Sequence, residues 1–205
     1  MVKYLSKKSY QLKDLKEINF KDLWGDHGVF TTMWIYDNPG KILFFKKHIN
    51  NLVKSLKAYN IDKPDIKKII LKLLKVNIKK NIKYNHLLRV AINNKIISVS
   101  LRKRIKPNLD FNLKLVNLKR IRPEFKNLKY LKILQYLSKL DNSKSDIGLC
   151  SNKTIFESGT SNILFIQNDK VYSPIKNIYK GITYKFFENK LHKIFKKNIL
   201  VKSLH

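Results

Sequence analysis

Cysteine is almost absent from this chain of 205 residues, and Cys150 is its single representative. One cysteine cannot form an internal disulfide bond, which agrees with a reducing compartment. The N-terminal stretch lacks the apolar core of a secretory signal. No apolar run approaches the length of about 18 residues that a membrane-spanning helix needs. We therefore expect a soluble, cytoplasmic protein without a membrane partner.

Acidic residues are also scarce, with 14 Asp and Glu against 44 Lys and Arg and a formal net charge of +30. Such a charge raises the question of a polyanionic partner. The excess is mostly lysine, however, and it is spread from Lys3 to Lys202 together with Asn, Ile, Tyr and Phe. Arginine, the usual reader of bases and phosphates, is rare. This pattern favours a compositional bias over a dedicated nucleic-acid surface.

Several nucleotide and metal motifs are missing. The sequence contains no phosphate loop with a Gly-Lys-Ser or Gly-Lys-Thr ending, no dinucleotide glycine fingerprint and no paired CxxC or HxxxH elements. The five histidines are scattered and Cys150 stands alone. We therefore do not expect a metal site.

Apolar periodicity predicts two lobes, each of mixed strands and helices, over residues 1–106 and 107–205. The first lobe is predicted to contain strands at Phe30–Tyr36, Ile42–Phe45, Leu87–Ile92 and Ile96–Leu101, a helix from Lys46 to Ala58 and a helix at Asp65–Val76. The second is predicted to contain a strand at Phe111–Asn117, a helix at Leu128–Leu140, short strands on either side of Ser158–Asn162 and a last helix from about Thr183 to Phe195. This content indicates an α/β or mixed α+β fold.

Glu157 is an acid in a basic chain, and it opens the small-residue turn ESGTSN before the apolar run Ile163–Ile166. Val171–Pro174 and then Gly181–Thr183 follow it. These elements, in this order, resemble the signature of the class IV aminotransferase family. That family comprises branched-chain aminotransferases, D-amino acid aminotransferases and 4-amino-4-deoxychorismate lyases, which are pyridoxal-phosphate enzymes of fold type IV. The resemblance implies the two-lobed architecture of that fold type, pyridoxal 5'-phosphate as cofactor and a homodimer.

Two further elements extend the resemblance over most of the chain, from about Gly25 to Phe195. Gly28–Thr32 resembles the family's N-terminal glycine-rich element, and His48–Leu52 lies where the family has an HxxRL helix start. The resemblance implies that Lys126 carries the cofactor, with Lys129 as the main competitor and Lys119 and Lys132 as further alternatives. A lysine amine can bind the cofactor aldehyde covalently only when it is neutral.

The resemblance implies roles for the other candidate residues as well. Glu157 would stay ionised against the pyridine nitrogen and make the ring an electron sink. Gly181, Ile182 and Thr183 precede an apolar helix, so their N–H groups could bind the cofactor phosphate. Tyr130 completes the predicted cofactor-binding set. The simpler interpretations are a surface carboxylate for Glu157 and a plain helix cap for the residues before the last helix.

Thr31 bears on which reaction the family resemblance implies. It stands where aminotransferases usually carry Glu, and the Phe-Thr-Thr form of Phe30–Thr32 is similar to that of bacterial aminodeoxychorismate lyases. We therefore expect a lyase that forms 4-aminobenzoate and pyruvate in folate biosynthesis, with Lys126 and Thr31 as catalytic residues. A branched-chain or D-amino acid aminotransferase, and a noncatalytic or nucleic-acid-binding basic protein, remain the alternatives.

The sequence departs from the family pattern at two places. Asn51 occupies the position of the arginine that clamps the cofactor phosphate, and an amide cannot make that bidentate contact. Arg89, Lys47 or Lys54 could replace its charge. Family members also continue beyond the position of His205, so the C-terminal lobe is expected to be incomplete.

Overall fold

The computed structural model describes residues 4–168, 170–174, 176–195 and 200–201. The chain folds into two compact units. The first unit contains Met1–Arg104 and Lys126–Lys129, and the second contains Ile105–Phe125 and Tyr130–His205. The boundary that we predict after residue 106 stays a prediction, and the outer ends of both predicted lobes lie outside the described residues. Within the described part of the chain, no helix has both the length and the apolar character needed to cross a membrane.

The first unit is built on a six-stranded sheet in which neighbouring strands run antiparallel. Its strands are β1 (Tyr4–Gln11), β2 (Glu17–Ile18), β3 (Gly28–Asp37), β4 (Lys41–Ile42), β5 (Tyr84–Asn93) and β6 (Ile96–Lys103), in the spatial order β2-β1-β6-β5-β3-β4. The central strands are almost continuously buried, so their apolar residues form the core of this unit. The pair Asn93 and Asn94 predicts a turn between the two strands, whereas β5 extends through Asn93, and Asn94 and Lys95 make the connection to β6.

Two helices lie between β4 and β5 in the chain, α1 (Phe45–Ala58) and α2 (Ile66–Asn77). Buried apolar residues recur at helical spacing in α1, at Ile49, Leu52 and Leu56, while lysines occupy its solvent side. The predicted strand Ile42–Phe45 is wrong beyond Ile42. Phe44 adopts a left-handed backbone conformation with φ 52, which ends the extended stretch, and α1 begins at the next residue.

The short segment Lys126–Lys129 lies along β3. The Phe30 N–H donates to the Lys126 carbonyl over 2.9 Å, and the Leu128 N–H donates to the Gly28 carbonyl over 2.9 Å. Leu128 also accepts the Gly25 N–H over 2.8 Å, and its side chain is fully buried. These contacts explain why the predicted helix Leu128–Leu140 is too long: the backbone of Leu128 is already paired, and α3 spans only Leu131–Leu137.

The second unit contains two small sheets and a terminal helix. One sheet has the order β7 (Asn112–Asn117), β8 (Ser145–Ser151), β9 (Thr154–Ser158), and the other has the order β10 (Phe165–Gln167), β11 (Lys170–Ser173), β12 (Leu200–Val201). Strands β7 and β8 are parallel, whereas β8 and β9 are antiparallel and place Glu157 opposite Leu149. The last helix, α4, spans Ile182–Phe195. Strands and helices are therefore mixed in one chain, which confirms the predicted α+β class.

Candidate active site

Lys126 is the most shielded of the lysines that compete for the role of cofactor lysine. Its side chain is half-buried, and its Nζ lies 5.5 Å from the centroid of the Phe30 ring. Lys119, Lys129 and Lys132 are all exposed, and the Lys129 Nζ donates to the Gly25 carbonyl over 2.6 Å. Of the four candidate lysines, only Lys126 is partly withdrawn from solvent, and this distinguishes it from its competitors.

Thr31 and His48 join Lys126 in one group of the first unit. The Thr31 Oγ1 and the His48 Nδ1 are 2.8 Å apart and share a hydrogen bond, and Thr31 is buried on β3. Burial, and secondly the positive charge of Lys126, lower the pKa of His48 to about 4. The imidazole is thus neutral at physiological pH. We call Phe30, Thr31, His48 and Lys126 the lysine cluster.

Glu157 lies in the second unit and is only 4% exposed, so it is not a surface carboxylate. Its Oε1 accepts a hydrogen bond from the Arg120 Nη1 over 2.8 Å, and its Oε2 accepts the Tyr179 N–H over 3.1 Å. A carboxylate removed from water stays charged only when a cation and hydrogen bonds compensate it. Arg120 supplies that cation, and the side chains of both partners are almost completely buried.

Arg120 is a buried partner of Glu157 that the sequence did not reveal. Its Nη2 donates to the Phe125 carbonyl over 2.6 Å, and its guanidinium lies 5.2 Å from the centroid of the Tyr130 ring. Its Nε is buried and has no hydrogen-bond partner. The one available signal was the use of arginine in a chain in which most cationic residues are lysines. We call Arg120, Tyr130, Glu157 and Tyr179 the carboxylate cluster.

Tyr130 connects the carboxylate cluster to the turn that follows Glu157. Its hydroxyl donates to the Gly159 carbonyl over 3.1 Å, and the residue is buried. Burial raises the pKa of the Tyr130 hydroxyl. The group therefore keeps its proton and acts as a hydrogen-bond donor at neutral pH.

A second buried acid, Asp146, organises the same turn. Its Oδ2 accepts hydrogen bonds from the Ser158 Oγ over 2.8 Å and from the Thr160 Oγ1 over 2.6 Å. The Ser158 Oγ in turn accepts the Ser161 N–H over 2.8 Å. Ser158 and Thr160 are thus required by this network, because their hydroxyls reach one carboxylate from positions two residues apart.

Asn162 links the turn to the start of α4. Its Oδ1 accepts the Gly181 N–H over 3.0 Å, and its Nδ2 donates to the Tyr179 carbonyl over 2.6 Å. The Gly181 N–H is therefore directed at Asn162. Ile182 is buried and Thr183 is exposed in the first turn of α4, where backbone N–H groups lack intrahelical acceptors. This end of α4 can bind an anion through those groups.

The cations that could replace the missing phosphate arginine differ in their surroundings. Arg89 is buried on β5, where its Nη2 contacts both the carboxylate and the main-chain carbonyl of Asp22. Its guanidinium also lies 4.3 Å from the centroid of the Trp24 ring. Lys47 is exposed, with its Nζ 5.3 Å from the centroid of the Phe44 ring. The charge of Arg89 is thus compensated by Asp22 within its own unit. Asn51, which stands in place of the phosphate arginine, is a half-buried amide on α1.

The structure therefore brings the predicted residues together in two groups. Lys126 and Thr31 share the lysine cluster of the first unit, and Glu157 and Tyr130 share the carboxylate cluster of the second. Gly181 is connected to the second group through Asn162 and the loop at Tyr179. The roles of these residues toward a cofactor stay predictions.

Known protein structures share this fold. One is a branched-chain amino acid aminotransferase from T.th. in complex with N-(5'-phosphopyridoxyl)-L-glutamate. It is 12% identical to this chain and superposes with a TM-score of 0.75, and the match covers 100% of this chain and 78% of the aminotransferase. A branched-chain aminotransferase from Thermoproteus uzoniensis with norvaline is 15% identical and has a TM-score of 0.72. The match covers 96% of this chain and 78% of that aminotransferase. A Legionella pneumophila protein, provisionally assigned as a 4-amino-4-deoxychorismate lyase, is 18% identical and has a TM-score of 0.62. The match covers 87% of this chain and 72% of the Legionella pneumophila protein.

Sequence comparison is more decisive than these distant structural likenesses. No curated protein sequence matches the chain significantly. The family model described as amino-transferase class IV, in contrast, matches residues 28–204. That match includes β3 with Thr31, the segment with Lys126, the turn after Glu157 and the start of α4. The chain belongs to the class IV aminotransferase family.

Proposed function

We propose that this protein is a pyridoxal 5'-phosphate-dependent lyase that converts 4-amino-4-deoxychorismate to 4-aminobenzoate and pyruvate, a step of folate biosynthesis. The observation that carries the proposal is Thr31, a buried hydroxyl hydrogen-bonded to His48 at 2.8 Å. Aminotransferases of the family usually carry a glutamate at this position. A neutral hydroxyl in place of a carboxylate favours a different proton-transfer chemistry around the lysine.

Three features of the described residues fit the proposed cofactor. Lys126 offers a half-buried amine for the aldehyde. Glu157 offers a buried carboxylate for the pyridine nitrogen. Arg120 offers a buried cation that holds this carboxylate, with 2.8 Å between the Arg120 Nη1 and the Glu157 Oε1. We assign the phosphate to the first turn of α4, at Ile182 and Thr183, where helix geometry favours an anion.

Each of the chain's own groups then has a defined task. When bound, the cofactor withdraws electrons from the carbon that loses its proton. Lys126 would hold the cofactor, would yield it to the amino group of the substrate and would remove the proton from the substrate carbon that bears this amino group. Lys126 would then take the cofactor back, so that 4-aminobenzoate leaves with a free amino group. Thr31, fixed by the neutral His48, supplies a proton-transfer group in the same cluster. Glu157 keeps the ring nitrogen protonated.

The bonds balance without a further reactant. Removal of the proton from the ring carbon that bears the amino group is followed by cleavage of the C–O bond to the enolpyruvyl group. The ring becomes aromatic, and the enol takes up a proton and leaves as pyruvate. Because aromatisation supplies much of the driving force, the protein mainly has to position the substrate and move one proton.

Amino-group transfer is the second candidate function. The branched-chain aminotransferases from T.th. and Thermoproteus uzoniensis superpose with TM-scores of 0.75 and 0.72, against 0.62 for the Legionella pneumophila protein. This favours the aminotransferase architecture as a whole. Thr31 is the local feature that favours the lyase, and chemistry depends on the local site more than on the fold.

The proposal is tested by supplying 4-amino-4-deoxychorismate and measuring 4-aminobenzoate, in parallel with branched-chain and D-amino acids supplied with a keto acid. We expect 4-aminobenzoate from the wild-type protein and none from Lys126→Ala, because that variant lacks both the cofactor link and the base. Lys129→Ala, three residues away and exposed, is the matched control and should retain activity.

Thr31→Val tests the observation that carries the proposal. We expect a loss of roughly 10²-fold or more in kcat, the usual contribution of a proton-transfer group. Thr32→Val, the next residue on β3, should change the rate little. Transfer of an amino group to the keto acid without 4-aminobenzoate would identify the protein as an aminotransferase. A protein that stays colourless with pyridoxal phosphate would contradict both candidates.

The homodimer that the family resemblance implies is part of the same proposal. Light scattering coupled to size-exclusion chromatography measures it directly. A mass near twice 24.3 kDa is expected. A monomer with lyase activity would remove the dimer from the proposal and leave the reaction intact.

A further inference from the structure

Arg120 makes more contacts than the neutralisation of Glu157 requires. One terminal nitrogen donates to Glu157 and the other to the Phe125 carbonyl, which is the residue directly before Lys126 in the chain. The guanidinium carbon lies 5.2 Å from the centroid of the Tyr130 ring. Two hydrogen bonds and this cation–π contact restrict the orientation of the side chain.

A purely stabilising role is a poor explanation for such a group. Buried ion pairs are often no more stabilising than apolar residues of the same volume, because both charges lose their hydration. Other core positions of this unit, such as Ile133, Ile147 and Leu149, are filled with aliphatic side chains. A task that needs the charges themselves accounts better for a buried Arg and Glu in this unit than stability does.

The contacts on Glu157 define that task. Arg120 binds Oε1 and the Tyr179 N–H binds Oε2, so the two oxygens are anchored from different elements. Of these two donors only Arg120 carries a charge. A carboxylate accepts several hydrogen bonds at once, and it can bind Arg120 and a further donor together.

We propose that Arg120 is a positioning residue, which holds Glu157 as an oriented carboxylate for the ring nitrogen of the cofactor. This inference rests on the proposed function, since it requires that pyridoxal phosphate binds. It assigns Arg120 no contact with the substrate. Its effect passes through Glu157, and it should therefore appear only with ligands whose ring nitrogen can pair with that acid.

The test compares the equilibrium binding of two ligands, pyridoxal 5'-phosphate and its 1-deaza analogue, in which a C–H group replaces the ring nitrogen. The wild-type protein should prefer the natural cofactor by roughly ten- to hundredfold, the usual contribution of a hydrogen bond to a charged group. Arg120→Gln should reduce this preference to nearly one. Glu157→Gln should do the same, and the double variant should resemble Glu157→Gln alone.

Two variants separate positioning from general damage. Arg122→Gln is the matched control, because Arg122 is exposed and only two residues away, and it should keep the full preference. Arg120→Lys keeps the charge but cannot contact Glu157 and Phe125 with one planar fork, so an intermediate preference is expected. If Arg120→Gln does not fold, Arg120→Lys decides: a reduced preference supports the proposal and an unchanged one overturns it.

The outcomes also separate this inference from the function on which it rests. A wild-type protein that binds neither ligand overturns both. A wild-type preference that persists in Arg120→Gln overturns the role of Arg120 and leaves the proposed function intact. Equal weakening of both ligands in Arg120→Gln, with the preference unchanged, would assign Arg120 a structural role only.

Discussion

At His48, burial and a neighbouring cation act in the same direction, and the pKa of the imidazole falls to about 4. Burial is the larger cause, since it removes water from the charged form, and the positive charge of Lys126 is the smaller. His48 therefore reports on the charge of Lys126. If Lys126 were neutral, its charge would no longer lower the pKa of His48, and only the effect of burial would remain.

Lys126→Ala should therefore raise the pKa of His48, but not to the ordinary value of 6.5. The change is measured in the cofactor-free protein by NMR of ¹⁵N-labelled histidines during a pH titration. Lys129→Ala should leave the pKa of His48 unchanged, because Lys129 is exposed and bound to the Gly25 carbonyl. A His48 pKa that does not move in Lys126→Ala would contradict the lysine cluster.

The same pKa fixes the sign of one pH effect on stability. Between pH 6.5 and about 4 the unfolded chain binds a proton at this histidine and the folded protein does not, so the free energy of unfolding falls as the pH falls. The loss amounts to about 3 kcal/mol at most, by the linkage between pKa and stability. His48→Gln should remove this part of the acid sensitivity in urea unfolding measured across that range.

At the scale of single residues, a motif was enough to single out Glu157 and Lys126, and their roles toward a cofactor stay predictions. The burial of Glu157 excludes the simpler interpretation of a surface carboxylate. Arg120 and the partnership of Thr31 with His48 were not predictable. Each depends on a contact between residues far apart in sequence, and periodicity carries no information about such contacts.

Among the elements, the turn Ser158–Asn162 depends on a single buried acid. Asp146 lies on β8 and accepts hydrogen bonds from Ser158 and from both the N–H and the hydroxyl of Thr160. Every partner is a donor, so this position requires a group that only accepts. The geometry of the turn, and with it the loop that carries Gly159, follows from that requirement.

Asp146→Asn should consequently destabilise the protein by about 1–3 kcal/mol, because the new amide would direct donors at donors. Chemical denaturation of the cofactor-free protein measures the loss. Asp110→Asn is the matched control in the same unit, since Asp110 is exposed, and it should change the free energy of unfolding by less than about 0.5 kcal/mol. Equal stability of the two variants would show that the network around Asp146 does not hold the turn.

The elements differed in how well the sequence predicted them. Strands β5 and β6 contain continuous apolar runs, so their existence was predicted, although β5 begins at Tyr84, three residues before the predicted start. Strands β1 and β8 were missed, because their residues are largely polar or small and they become strands only through pairing with β6, β7 and β9. Helix α3 was predicted too early, because Leu128 pairs with Gly28 instead.

For the molecule as a whole, charge is the property that sequence determines most directly. Cations outnumber acids so strongly that the net charge of +30 cannot be neutralised by internal ion pairs. Most of the described pairs are exposed, such as Lys8 with Glu17 and Lys41 with Asp37, and exposed pairs contribute little to stability. The folded protein therefore concentrates like charges that the unfolded chain keeps further apart.

Salt should accordingly stabilise this protein. Raising NaCl from roughly 10 mM to 0.15 M shortens the screening length from about 30 Å to about 8 Å. Repulsion between lysines then weakens, so the melting temperature should rise, by about 2–4 °C for each kcal/mol gained in a chain of this size. Calorimetry at several salt concentrations measures the slope.

Charge reversal on α2 provides the matched comparison. Lys67, Lys72 and Lys75 are exposed on this helix, and their replacement by glutamate lowers the net charge without touching the core. The triple variant should melt at a higher temperature than the wild type in low salt and should respond less to added NaCl. If the wild-type melting temperature is insensitive to NaCl, the lysine excess does not act on stability as a repulsive field, and its effect is confined to local pairs.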